Sequence, residues 1–206
     1  MKNNHLVVLI SLICLASFIG CKKNDDRNAT DDILQDKYLV FDENFDGTNN
    51  WEIAPSFSYP TGLGYGGSYS GEISNGMLHL GSSGCANGDA YLPLTIQQLT
   101  EEKYGQIYLS IDISSFKCDI GSGSIEIGLN KINVEIELLE NFDNLLLTFK
   151  ADTNSISISG PAEGIIYSYN TGHFEEKISV SVGSGGMADC VGEADLKLNS
   201  IKIYKK

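Results

Sequence analysis

From Tyr38 onward the chain alternates apolar and polar residues with a period of two, and that period specifies strands. The clearest case covers residues 123–138. Ile125, Ile127 and Leu129 are apolar at odd positions, whereas Ile132, Val134, Ile136 and Leu138 are apolar at even positions. Successive strand side chains point to opposite faces. A parity flip across Asn130-Lys131 therefore requires a two-residue turn between antiparallel strands. Counting outward from that turn sets the register. Leu129 opposes Ile132, Ile127 opposes Val134, and Ile125 opposes Ile136 on the core face. On the other face Gly128 opposes Asn133, Glu126 opposes Glu135, and Ser124 opposes Glu137.

The same period recurs at 38–41, 77–80, 90–94, 106–113, 144–151, 155–159, 177–182 and 194–204, with Gly, Ser and Asn between the runs. A second hairpin is expected from Leu145–Ala151 to Ser155–Ser159 through Asp152-Thr153-Asn154. Only Leu94 to Tyr104 leaves room for a short helix. The 22 glycines against 4 prolines suit turns that need positive φ. The expected fold is all-β, an antiparallel two-sheet sandwich occupying 38–206.

The N-terminus addresses the chain. Lys2 gives a positive start, His5 to Phe18 form a short apolar run, and a small residue closes it, which marks 1–20 as a signal peptide. Phe18-Ile19-Gly20-Cys21 resembles the lipobox of bacterial lipoproteins, with Phe18 in place of the usual leucine. The resemblance implies that Cys21 is acylated and becomes the first mature residue, so that the membrane is a partner through lipid. Residues 21–37 are polar, charged and aperiodic, as a flexible tether should be. Lys22-Lys23-Asn24-Asp25-Asp26 also resembles the acidic signals that send lipoproteins of Gram-negative bacteria to the outer face of the outer membrane.

Charge narrows the partners. The chain carries 14 Lys and Arg against 27 Asp and Glu, a net −13, and loses one more positive charge with Lys2. That balance argues against nucleic acid and against the face of an anionic bilayer. Polysaccharide and surface proteins remain as partners.

Of the five cysteines, Cys14 leaves with the signal and Cys21 takes lipid. Strand alternation puts Cys85, Cys118 and Cys190 at one end of the sandwich. A Cys85–Cys190 disulfide is favoured, because both residues lie in Gly-rich loops. Its loop of about 100 residues would stabilise the fold by up to ~4–5 kcal/mol on the chain-entropy model.

The opening Phe41-Asp42-Glu43-Asn44-Phe45-Asp46-Gly47, then Trp51, then Ser74-Asn75-Gly76-Met77-Leu78-His79-Leu80, and the closing Leu196–Tyr204 resemble a concanavalin A-like jelly roll of the laminin-G and laminarinase type. The resemblance implies that first and last strands pair, joining Phe41–Phe45 to Lys197–Tyr204. It also makes Asp42, Glu43 and Asp46 candidate ligands of a structural calcium; no other cofactor is expected.

Two candidate sites follow. Trp51, Tyr59, Tyr65 and Tyr69 lie in an irregular stretch rich in Gly, Ser and Pro; aromatic faces there would stack on sugar rings. Burial of Trp51 under the first strand is the competing reading. A second, weaker patch is Tyr167-Ser168-Tyr169. The other site is Glu126 opposite Glu135 with Glu137 two residues on, a carboxylate set that a glycoside hydrolase of jelly-roll type would use. Laminarinase-type enzymes carry their acids as Glu-x-Asp-x-Glu, and Asn133-Val134-Glu135-Ile136-Glu137 lacks that pattern. The expectation is therefore a non-catalytic surface lipoprotein that binds carbohydrate or serves surface recognition. A hydrolase, or a structural or adhesion subunit, is the alternative.

Overall fold

The structure, a computed structural model of the chain, describes residues 34, 37–54, 57–58, 66–94, 106–129, 132–152, 156–159, 163–172, 174–184 and 192–205. All of them belong to one compact unit, Ile33–Lys206.

Two antiparallel sheets stack face to face as a jelly-roll sandwich. The first contains β1 (Tyr38–Glu43), β3 (Phe57–Ser58), β4 (Gly67–Ser74), β5 (Met77–Gly84), β7 (Gln106–Cys118), β10 (Phe142–Asp152), β11 (Ile156–Ser159) and β14 (Glu193–Lys205). The second contains β2 (Glu52–Ile53), β6 (Asn87–Pro93), β8 (Gly121–Leu129), β9 (Ile132–Leu138), β12 (Ile165–Thr171) and β13 (Lys177–Ser184). Its order is β12-β9-β8-β13-β6-β2.

The register expected across β8 and β9 is the register found, including Glu126 opposite Glu135 and Ser124 opposite Glu137. The inward residues of both sheets make one core. Ile125, Ile127, Ile136 and Ile178 of the six-stranded sheet meet Leu80, Ile111, Ile113 and Phe149 of the other, all inaccessible to water. Each such side chain contributes about 1.5–3 kcal/mol on burial. First and last strands pair as expected, with Phe41 opposite Ile203 and Glu43 opposite Ile201. β10 also pairs with β11, Thr148 opposite Ser159 and Ala151 opposite Ile156. The stretch 95–105, where a helix had room, lies outside the described residues.

One expectation changes. The stretch from Trp51 to Tyr69 has no strand period, yet Gly67–Ser74 is a regular strand paired with β5. Asn75 (φ 53°) and Gly76 (φ 72°) join the two as a turn with both central residues left-handed, the geometry that matches strand twist. Small residues build β4 because a large one must cross the interior. The Tyr69 ring, 2 % exposed, lies against Gly88 of the opposite sheet, and its hydroxyl donates to the Asp89 carbonyl at 3.1 Å. A Cβ on Gly88 would sit 1.5 Å from that ring.

Gly88→Ala should therefore destabilise by about 1–3 kcal/mol through overpacking, lowering the melting temperature by roughly 2–4 °C for each kcal/mol. Gly172→Ala, whose added carbon meets only ordinary contacts to Phe174 at 3.5 Å, should leave it unchanged. Calorimetry on both variants checks the contrast.

Candidate functional site

The chain leaves β1 through a knot built on one carboxylate. Glu43 is 1 % exposed, and it accepts the Phe45 amide at 2.5 Å, the Trp51 indole N–H at 2.7 Å and the Asn49 side-chain amide at 2.9 Å. A buried carboxylate is tolerable when donors surround it in this way. Phe45 adopts φ 55° to turn its own amide onto it.

Asp42, next along the strand, faces the other way toward Lys202, 3.8 Å from its ammonium. Asp46 is exposed, and hydrogen bonds from Thr48 hold its pKa below the usual carboxylate value. The three acids do not converge. Among the described residues no group of three His, Cys, Asp or Glu is placed to hold a metal.

Two of the four aromatic candidates are turned away from solvent. Trp51 is half-buried, its ring 5.5 Å from that of Phe45 and tilted by 43°. It packs on the core and is pinned by Glu43. Tyr69 spans the interior and is not a ligand-facing residue. Tyr59 and Tyr65 lie outside the described residues. In the second patch, Tyr167 packs edge-on against Phe149 at 5.7 Å and Tyr169 is half-buried against the core, so Ser168 alone of the three faces outward.

The carboxylate candidates, in contrast, share one surface. On the outer face of the six-stranded sheet one row runs across every strand: Ser168, Glu135, Glu126, Ser179, Tyr91 and Glu52. The Ser168 hydroxyl donates to Glu135 at 3.1 Å. The Tyr91 hydroxyl donates to Glu52. That bond, with the nearby charges of Asp89 and Glu175, pushes the phenol pKa above its ordinary value. The next row toward Glu137 holds Ile166, Glu137, Ser124, Ser181 and Asp89. The three glutamates are half-buried along their stems. Directly opposed residues on antiparallel strands have Cβ atoms ~4.5–5.5 Å apart, so Glu126 and Glu135 share one site.

Sequence reasoning missed Tyr91 as part of this face. The signal was present: Ala90 and Leu92 are inward, so Tyr91 between them must point out.

The remaining candidates sit elsewhere. Cys85 is disulfide-bonded, Cys118 is a free half-buried thiol whose pKa burial raises, and Cys190 lies outside the described residues. Cys85 and Cys118 lie at the same end of the sandwich, where Gly84 and Asp119 bond to the Gly192 and Glu193 carbonyls at 3.0 Å. Cys21 also lies outside the described residues. His79 faces out from the eight-stranded sheet against Asp195 at 2.5 Å.

No family model matches the chain, and no curated protein does. Among solved structures it is similar to a prokaryotic β-1,3-1,4-glucanase (lichenase) derived from a mouse hindgut metagenome. That match has 14 % identity and a TM-score of 0.49, covering 80 % of this chain and 98 % of the other. It is also similar to the Bacillus licheniformis β-glucanase, at 14 % identity and TM-score 0.44, covering 84 % and 100 %. A third is the binding domain of botulinum neurotoxin serotype D/C, at 12 % identity and TM-score 0.44, covering 81 % of this chain and 48 % of that one. At such identities no residue role transfers between them.

The Tyr69 environment has a pH consequence. Burial, with the charge of Asp89, raises its pKa from 10.0 to about 12. Between those values the unfolded chain releases a proton that the folded chain keeps, so stability falls as pH rises and levels off above about 12. Urea unfolding from pH 9 to 12 should show this decline, and Tyr69→Phe should remove part of it.

Proposed function

We propose that this is a lipid-anchored surface protein whose sandwich binds glycan across the outer face of its six-stranded sheet. One observation carries the reading: hydroxyls, carboxylates and a 37 % exposed tyrosine form a continuous row over all six strands. Carboxylates and serines accept and donate to sugar hydroxyls. Tyr91 offers an apolar ring edge or face with a polar tip. Gly and Ser at neighbouring positions keep the surface low enough for a chain to lie on it. This moves the proposed contact from the aromatic stretch to the sheet.

The test is affinity electrophoresis of the purified protein through gels containing plant, algal and host polysaccharides. At least one polymer should retard it, and Tyr91→Ala should weaken the retardation several-fold. Retention of every polymer's effect in Tyr91→Ala would move the contact elsewhere. No retardation at all would leave a structural or adhesion subunit.

The opposition of Glu126 and Glu135 favours a second reading, a glycoside hydrolase. Retaining enzymes hold their acids ~5–5.5 Å apart. Release of reducing ends that Glu135→Gln and Glu126→Gln each abolish would establish it. Full release by either variant would exclude that pair.

The anchor rests on the lipobox resemblance. Palmitate labelling and recovery with the outer membrane should both be lost in Cys21→Ser. Labelling that persists in that variant would place the lipid on another residue.

A further inference from the structure

The pairing that builds the sandwich gives it two unlike ends. Tyr38, where the chain enters β1, pairs with Lys205, the last residue of β14. The opposite end of β14, at Glu193, lies about 40 Å off at strand spacing. There lie the segments 84–87, 118–121, 139–141, 163–166 and 192–193.

These segments are tied to one another. Leu139 donates its amide to the Gly164 carbonyl at 2.9 Å, and Asp119 donates its own to Glu193 at 3.0 Å. The Cys118 amide donates to the Asn141 side chain at 2.7 Å. Gly192 lies against Ile120 closely enough that a Cβ would meet the Ile120 carbonyl at 2.7 Å.

This tied tip exposes aliphatic side chains that the fold does not need outside. Ile120 is 48 % exposed, Leu139 41 % and Ile166 51 %. Leu139 and Ile166 are diagonal neighbours on one face, since Leu138 pairs with Ile165 and Glu137 with Ile166. Around them stand Asp119, Glu137, Glu140, Glu163 and Glu193. None of the five is in an ion pair among the described residues. The local lysine, Lys117, is occupied by Asp143 at 2.6 Å. An apolar centre inside a single-sign rim is the anatomy of a protein contact, and uncompensated charge steers the partner and selects its sign.

We infer that this tip, facing away from the point of chain entry, docks a partner protein whose contact patch carries apolar side chains flanked by Lys or Arg. The tied loops are organised before contact, which lowers the entropy lost on docking. The tip adjoins the glycan face at Ile166 and Glu137, one row from Glu135, and the test separates the two by protection over 118–122 and 139–141 as against Tyr91 and Glu126.

The probe is a synthetic nonapeptide alternating Lys and Leu, with two controls: Lys alternating with Ser, which keeps the charge, and Glu alternating with Leu, which keeps the apolar residues. Binding to the full chain in detergent is followed by fluorescence anisotropy, and located by amide hydrogen exchange. The Lys/Leu peptide should bind at least tenfold more tightly than either control. Added protection should fall on 118–122, 139–141 and 163–166. Leu139→Ser and Ile166→Ser, both surface changes, should each weaken binding about fivefold with unchanged melting temperature.

Three results would overturn the inference. The Lys/Ser peptide binds as well, so that charge alone acts. Protection appears only over Tyr91 and Glu126. Or the peptide-free protein doubles its mass by light scattering and Leu139→Ser returns it to monomer, which makes a second copy the occupant.

Discussion

Backbone pairing along β14 is the constraint on which the sandwich depends. On one side this thirteen-residue strand pairs with β7 from Ala194–Cys118 to Lys205–Ile107. On the other it holds two strands in series, β5 along Glu193–Leu198 and β1 along Ile201–Lys205. Register shifts flank Leu198, between the two partners, where β7 skips Ser114 and β14 skips Asn199 and the ladder is locally irregular. The Asn75-Gly76 turn therefore meets the exit of β1: a Cβ on Gly76 would lie 3.8 Å from the Asn44 carbonyl. Glu43 then directs the chain from that exit into Trp51 and across to the second sheet.

Closing both inner faces against each other leaves the outer faces for chemistry, and the two differ in electrostatics. On the eight-stranded sheet lysines meet acids: Lys117 with Asp143, Lys197 with Asp195, Lys202 with Asp42. Such pairs are exposed and contribute at most ~1 kcal/mol each, but they leave little net field. On the six-stranded sheet Glu52, Asp89, Glu126, Glu135 and Glu137 share a surface, and Lys177 is paired with Glu175 at 3.1 Å. Opposed like charges are unfavourable in a sheet, so this face carries a net negative field that the other does not.

What was legible in the residues follows a physical rule. Where one face of a strand is strongly apolar, slipping the register by one residue exposes a whole hydrophobic set, so Ile125–Leu138 could be paired residue by residue. Where strands are built of Gly, Ser and Tyr, that penalty is weak and the pattern is silent. Gly67–Ser74 reads as loop for this reason. So does the role of Tyr69, which depends on Gly71 and Gly88 clearing a path for its ring; Gly88 is 19 positions away in another sheet. Tyr91 was readable by parity alone, because its neighbours are apolar.

By itself the sequence determined the alternation, the hairpin register, the all-β class and the pairing partners near the turns, because these rest on local parity and on burial of every second side chain. It also set the acidic balance. Tertiary structure alone decided that Tyr69 is a wall of the core. It also joined Glu126 and Glu135 to Tyr91 and Glu52 in one row, and gathered Ile120, Leu139 and Ile166 at one tip. Those facts depend on strand order within a sheet and on contacts between sheets, and no local period in the chain records either.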